Sequence, residues 1–153
     1  MTTDGPRDRN DDGRAQQARP RDELGRPLPY GSTGVEPVPD VALPPMETLQ
    51  FAEDLIRAGR PFAAHEVLEA RWKACPQEER ELWQGLAQLC VGLTHAARGN
   101  EVGAARLVER GTDRLVRYDS TAGPRYGLDI RTIVNCAQNA VSSTETDGRH
   151  STR

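Results

Sequence analysis

The chain has 153 residues, which is enough for one domain with a single hydrophobic core. It carries 20 lysines and arginines against 23 aspartates and glutamates, and its pI is about 5.6. This balance leaves no excess positive charge to neutralise phosphates or anionic lipid. We therefore expect neither nucleic acid nor a membrane surface as a partner.

The cysteines also exclude some classes of protein. Cys75, Cys90 and Cys136 are odd in number and widely spaced, which argues against a disulfide framework or a structural zinc site. The first residues, MTTDGPRDRNDDGR, contain no apolar segment followed by a cleavage site. The sequence therefore predicts a cytoplasmic protein.

The two ends of the chain lack a periodic apolar pattern. Residues 1–45 are rich in Pro, Gly, Arg and Asp, which is typical of a disordered or extended arm. Within the arm, LGRPLPYG at residues 24–31 is more apolar, and we expect it either to dock on the folded part or to stay a solvated linker. Residues 46–141 are predicted to form the helical domain, and residues 142–153, with His150, a disordered tail.

Between the ends, apolar residues recur at helical spacing and predict an all-α fold in a single multihelical domain. Pro61 suits a first helical position, Asn100 and Asp129 suit N-caps, and Gly59 and Gly99 suit helix ends. In chain order, the predicted helices cover residues 46–58, 61–75, 77–98, 100–118 and 129–141.

The third predicted helix, at about residues 77–98, has no Asp, Glu, Lys or Arg between residues 82 and 97, and apolar side chains cover most of its circumference. It is shorter than the roughly 20 apolar residues that a bilayer requires. We therefore expect a central core helix that the other helices surround. Gly85, Gly92 and Ala96 fall near one face, where they would allow a neighbouring backbone to approach closely.

A faint internal repeat relates two segments, AGRPFAAHEVLEA and ARGNEVGAARLVER. Each combines a helix end, a short turn and an amphipathic helix, so the core is predicted to hold two related, tetratricopeptide-like hairpins and a closing helix. Gly59 and Gly99 are 40 residues apart, which exceeds the about 34 residues of a true tetratricopeptide repeat. We therefore predict no solenoid.

The second helix carries polar residues on its predicted inner face, in AHEVLEARW. His65, Glu69 and Trp72 are related by steps of three and four residues and therefore share one face. Glu66 lies about 100° away, on the side of Lys73, and is expected to be solvated. The sequence predicts that His65 and Glu69 are half-buried.

The third helix offers a matching set of polar residues. Gln84, Gln88 and His95 lie in a narrow angular band, and an antiparallel second helix would bring His65 and Glu69 to face them. One interpretation is a divalent metal site with His65, Glu69 and His95 as ligands. HEVLE is not the zincin motif HExxH, however, because Glu69 stands where the second histidine belongs.

The simpler interpretation is a buried polar network that fixes the register of the two helices. Buried polar groups require hydrogen-bond partners, and His65, Glu69, Gln88 and His95 could satisfy one another. We favour this interpretation because a single HxxxE pattern on a helix is a weakly specific metal signal.

Three separated motifs resemble a bacterial and archaeal family, the domain of unknown function 309. They are PFAAHEVLEARWK, ELWQGLAQLCVGLTHAARGNEVGAARLV and YGLDI, and the resemblance extends over about residues 49–134. It implies an all-helical domain with one central helix and implies no particular activity. The residues that match the motifs of this family are His65, Glu66, Glu69, Trp72, Gln88, His95 and Asn100.

Two functions follow as hypotheses. The first is a non-enzymatic module that binds a protein or a small molecule, because we find no nucleophile–base pair, phosphate loop or strong metal motif. The alternative is a metal-dependent hydrolase with His65, Glu69 and His95 as ligands and Glu66 as general base. The sequence leaves open whether the protein is an enzyme and what its oligomeric state is.

Overall fold

The computed structural model describes residues 20–29, 31, 33–38 and 41–150, with side chains up to residue 142. Five α-helices occur in this part of the chain, and one turn of 3-10 helix precedes the third. The same part of the chain contains no β-strand, only one isolated bridge, so the predicted all-α class is confirmed. The helices are α1 (Pro45–Arg57), α2 (Pro61–Ala74), α3 (Arg80–Ala97), α4 (Glu101–Asp119) and α5 (Ile130–His150).

Local chemistry explains where the helices begin and end. Asn100 caps α4, since its side-chain oxygen accepts a hydrogen bond from the backbone N–H of Gly103 at 3.0 Å. The side chain of Asp129 caps α5 in the same way, since it accepts a hydrogen bond from the backbone N–H of Thr132 at 3.2 Å. Gly59 and Gly99, with φ of 76° and 82°, follow α1 and α3, and this backbone conformation favours glycine.

Helix α3 is the centre of the molecule. It packs against α2, α4 and α5, whereas α1 packs mainly on α2. Leu82 and Trp83 near its beginning are fully inaccessible to solvent. The predicted central helix is therefore confirmed, because a helix with apolar residues around most of its circumference is stable only when other elements cover it.

Small residues allow α3 and α4 to approach closely. A Cβ atom added at Gly85 would lie 2.8 Å from the Leu115 side chain, and one added at Gly92 would lie 2.7 Å from Val108. A Cβ atom added at Gly111 would lie 2.8 Å from the carbonyl oxygen of Gly85. The glycines predicted to face a neighbouring backbone therefore face α4.

Helices α2 and α3 are antiparallel, as contacts at both ends show. Phe62, at the start of α2, lies 6.0 Å from the guanidinium group of Arg98, just after α3. Trp72, near the end of α2, lies 4.7 Å below the guanidinium group of Arg80, at the start of α3. This direction is the one that the predicted polar cluster requires.

Helix α5 continues to His150, beyond the end predicted at Val141. Val141 is buried and is the last residue of the apolar pattern, so the sequence contains no periodic signal for the polar continuation.

The tail and domain boundaries stay predictions; residues 1–19 and the His150 side chain lie outside the described part. The tetratricopeptide-like hairpins also stay a prediction. Among the described residues, no helix is long and apolar enough to cross a membrane.

Candidate functional site

A cleft of about 150 Å³ lies between α2 and α3. Its lining combines apolar side chains with an imidazole, a carboxylate and two amides. The lining residues are His65, Glu69 and Trp72 from α2, and Gln84, Ala87, Gln88 and Val91 from α3. Four of the seven predicted site residues therefore line one cleft.

His65 and Glu69 form a hydrogen-bonded pair on one face of α2. The Nε2 atom of His65 lies 2.9 Å from Oε2 of Glu69, and the side chains are 20% and 38% exposed. The other carboxylate oxygen, Oε1, lies 3.5 Å from Nζ of Lys73. Steps of four residues along the helix bring all three side chains together.

The surroundings of His65 favour the neutral imidazole. Burial lowers the pKa of His65, an effect that the Glu69 carboxylate and the backbone of Phe62 partly oppose. The Phe62 ring also packs on the imidazole, with 5.3 Å between the ring centroids. A neutral imidazole at this position can donate its Nε2–H to the Glu69 carboxylate.

Gln88 lines the cleft but is held from the opposite side. Its Oε1 atom accepts a hydrogen bond from Nε of Arg114 on α4 at 3.1 Å. Arg114 is itself fixed by Glu81, since Nη1 of Arg114 lies 2.5 Å from Oε1 of that carboxylate. The Gln88 carbonyl oxygen is thus engaged with α4, and its NH₂ group is left as a donor. Sequence reasoning missed Arg114, whose role depends on how α3 crosses α4.

His95 does not line the cleft. Its Nδ1 atom lies 3.2 Å from Nδ2 of Asn100, so the imidazole contacts the residue that caps α4. The predicted network of His65, Glu69, Gln88 and His95 is therefore replaced by separate pairs. Within residues 20–29, 31, 33–38 and 41–150, no group of three or more His, Cys, Asp and Glu residues could hold a metal ion.

The other two predicted site residues of α2, Glu66 and Trp72, differ from each other in their surroundings. Glu66 is half-buried and is not part of the cleft lining. Trp72 lines the cleft, and its Nε1 atom is buried without a hydrogen-bond partner among the described residues.

Comparison with known proteins identifies the segment that holds the cleft. Residues 49–107 match the model of a family described as a domain of unknown function, DUF309. The predicted resemblance to this family is thereby confirmed over residues 49–107, and every residue that lines the cleft lies within this matched segment.

One curated relative shares part of this sequence. The chain is similar to the uncharacterized protein YpuF of Bacillus subtilis (strain 168), with 35% identity over 86 residues. The similarity covers 56% of this chain and 49% of that protein, so the chain spans about half the length of the curated relative it matches. No solved structure matches the chain significantly.

A second polar cluster connects the segment at residues 49–107 to the loop before α5, and sequence reasoning missed it. Glu79 is buried, and its Oε1 atom accepts hydrogen bonds from Nε1 of Trp83 at 3.2 Å and from the hydroxyl of Tyr126 at 2.6 Å. Burial and the Glu79 carboxylate raise the pKa of Tyr126 to about 12. The YGLDI motif, which contains Tyr126, is the signal that could have indicated this contact.

Proposed function

We propose that the protein is a non-enzymatic binding module whose cleft between α2 and α3 accepts a small uncharged molecule. The observation that carries the proposal is one cleft in which Trp72, Ala87 and Val91 supply apolar surface and His65, Glu69 and Gln88 supply polar groups. Ligand sites in proteins typically combine a mainly apolar wall with a few fixed polar groups.

The volume of the cleft limits the size of the ligand. The cleft measures about 150 Å³. An engineered protein cavity of about 150 Å³ binds benzene, so a single six-membered ring with one small substituent is the appropriate size.

The charges around the cleft favour a neutral ligand. Glu69 is the acidic residue of the lining, and it already accepts from His65 and from Lys73. An anion would be repelled by this carboxylate, and a cation would have to displace Lys73. A neutral amide can instead accept from the Gln88 NH₂ group and can donate to a carboxylate oxygen.

Three probes of one size and different charge test this proposal: benzamide, benzoate and benzylamine. The chain has three histidines, so the imidazole proton signals can be followed by NMR during a titration. We expect benzamide to shift the His65 signals saturably, in the millimolar range typical of a ligand with so few atoms. The His95 signals are the internal control, because His95 lies outside the cleft lining.

The outcomes are distinct. A saturable shift of His65 by benzamide, with a weaker response to benzoate and benzylamine, supports the proposal. Absence of a His65 response to all three probes, or a stronger response to either charged probe, contradicts it.

The metal-dependent hydrolase is the alternative, and the placement of its residues does not favour it. His65 and Glu69 are adjacent, but His95 contacts Asn100 outside the cleft. The test is the metal content of protein purified without a chelator, compared with His65→Ala and Glu69→Gln. Stoichiometric zinc, iron or manganese that is lost in both variants would rank the metal-dependent hydrolase above the binding module.

A further inference from the structure

The part of the N-terminal arm before the helices forms a compact turn. The carboxylate of Asp22 accepts hydrogen bonds from the backbone N–H groups of Leu24 at 3.0 Å and Arg26 at 2.8 Å. Its other oxygen pairs with Nε of Arg26 at 2.9 Å. The ends of the turn meet where the N–H of Leu28 donates to the carbonyl oxygen of Pro20 at 2.7 Å. The turn is therefore stabilised by its own hydrogen bonds.

The tip of the turn lies directly on the ring of Phe62. Gly25 at the tip is buried, has φ of 76°, and a Cβ atom there would lie 2.2 to 2.6 Å from three atoms of the ring. The carbonyl oxygen of Leu24 accepts a hydrogen bond from Arg98. The guanidinium groups of Arg21 and Arg98 lie 5.4 and 6.0 Å from the ring centroid, within the range of a cation–π interaction. Glycine is thus required at the tip on both conformational and steric grounds.

A second contact holds the following part of the arm. The carbonyl oxygen of Glu36 accepts a hydrogen bond from Nη2 of Arg60 at 2.6 Å. The N–H of Val35 donates to the carbonyl oxygen of Arg21 at 2.9 Å, so this segment also binds the turn. Val38 then packs against the hydrophobic core. Two arginines of the helical domain therefore bind the main chain of the arm at separate points.

We propose that Arg60, Phe62 and Arg98 form a docking surface for residues 20–29 and 33–38 of the same chain, and that the docked arm holds Phe62 against His65. Because His65 lines the cleft, the arm fixes the geometry at one end of the site. The docking and its effect on His65 depend only on the contacts of the arm. The consequence for ligand affinity rests on the proposed function.

Two charged groups act on His65 itself, and two arginines lie at its neighbour Phe62. Glu69 and Lys73 approach on α2, and the cleft lining contributed by α3 carries no charge. Arg21 of the arm and Arg98 after α3 lie over the Phe62 ring. Release of the arm would therefore expose the Phe62 ring and reduce the burial of the imidazole packed against it.

Gly25→Ala tests the docking, and Gly31→Ala is its matched control. Both glycines have positive φ, 76° and 86°, but a Cβ atom at Gly31 meets nothing within 4 Å. Both variants therefore strain the backbone of the arm, whereas only Gly25→Ala collides with Phe62. Arg98→Ala is a second variant, which removes the donor to the Leu24 carbonyl group without adding an atom.

The full-length variants are compared by amide hydrogen exchange at Leu28 and Val35 and by NMR titration of His65. We expect Gly25→Ala to accelerate exchange several-fold and to raise the pKa of His65 towards its ordinary value, because burial lowers it in the docked form. Arg98→Ala should also accelerate exchange and raise the pKa of His65, but by less than Gly25→Ala. Gly31→Ala should change neither beyond a small effect of strain.

A ligand measurement then separates the two proposals. If benzamide binds the wild type, we expect its affinity to fall several-fold in Gly25→Ala, because the end of the cleft is no longer fixed. If benzamide does not bind, the proposed function fails, while exchange and the His65 titration still test the docking. Equal exchange and equal His65 titration in Gly25→Ala and Gly31→Ala overturn the docking proposal. An unchanged or increased affinity overturns its effect on the cleft.

Discussion

At the scale of single residues, the surroundings of His65 determine its properties. The helical spacing of HEVLE predicts that His65 and Glu69 share a face, and they lie 2.9 Å apart. Residue spacing could not predict that His95 lies outside the cleft lining. Its imidazole contacts Asn100, which caps the following helix. A side chain in the last turn of a helix can contact residues beyond the helix end. The spacing of residues within the helix does not predict that contact.

The lowered pKa of His65 predicts a pH dependence of stability. Below the ordinary value of 6.5, the unfolded chain binds a proton that the folded protein does not yet bind. The free energy of unfolding should therefore fall as the pH decreases from about 6.5 to the lowered pKa of the folded state. Urea unfolding at a series of pH values should show this loss in the wild type and a smaller one in His65→Gln, which keeps a donor for Glu69. Parallel pH profiles would contradict the prediction.

The buried Glu79 predicts a second effect at this scale. Glu79→Gln replaces a buried carboxylate that accepts two hydrogen bonds by a neutral amide, which removes the negative charge and one acceptor oxygen. We expect a loss of about 1 to 3 kcal/mol in the free energy of unfolding. Glu78→Gln at the exposed neighbouring position is the control and should have little effect. Equal stabilities of the two variants would show that Glu79 is not important for the α5 loop contact.

At the scale of helices, the sequence predicted most of the fold because the signals are local. Proline at the first position, Asn100 as a cap and glycine after the last turn all act within a few residues of the helix end. The central helix was predictable because residues 82–97 of α3 include no Asp, Glu, Lys or Arg. The end of α5 was not, since the residues after Val141 are polar and carry no periodic pattern.

The close contact of α3 and α4 gives a prediction whose sign depends on packing. Helix propensity alone would make Gly111→Ala stabilising by about 1 kcal/mol. The added Cβ atom would lie 2.8 Å from the Gly85 carbonyl oxygen, so the helices must move apart. We expect a net loss of about 1 to 3 kcal/mol in urea unfolding. Ala105→Gly, at an exposed site of α4, calibrates the propensity effect, and a Gly111→Ala variant more stable than the wild type would refute the prediction.

At the scale of the whole molecule, the cleft depends on contacts that no single segment specifies. The α2 residues of the site were predictable from one motif. The support of Gln88 by Arg114 requires the crossing of α3 and α4, and the contact of Gly25 with Phe62 joins residues far apart in sequence. These contacts follow from tertiary packing, and no local pattern in the sequence predicts them.

The central claim is that the cleft between α2 and α3 binds a small neutral ligand, and a variant that fills the cleft tests it most directly. Ala87 lines the cleft and is buried, so Ala87→Leu places a larger apolar side chain in the proposed site. The measurement is the benzamide titration of the His65 signals in both proteins, with circular dichroism to verify the helical fold. We predict a saturable response in the wild type that is lost in a folded Ala87→Leu protein. An equal response in the two proteins would contradict the account.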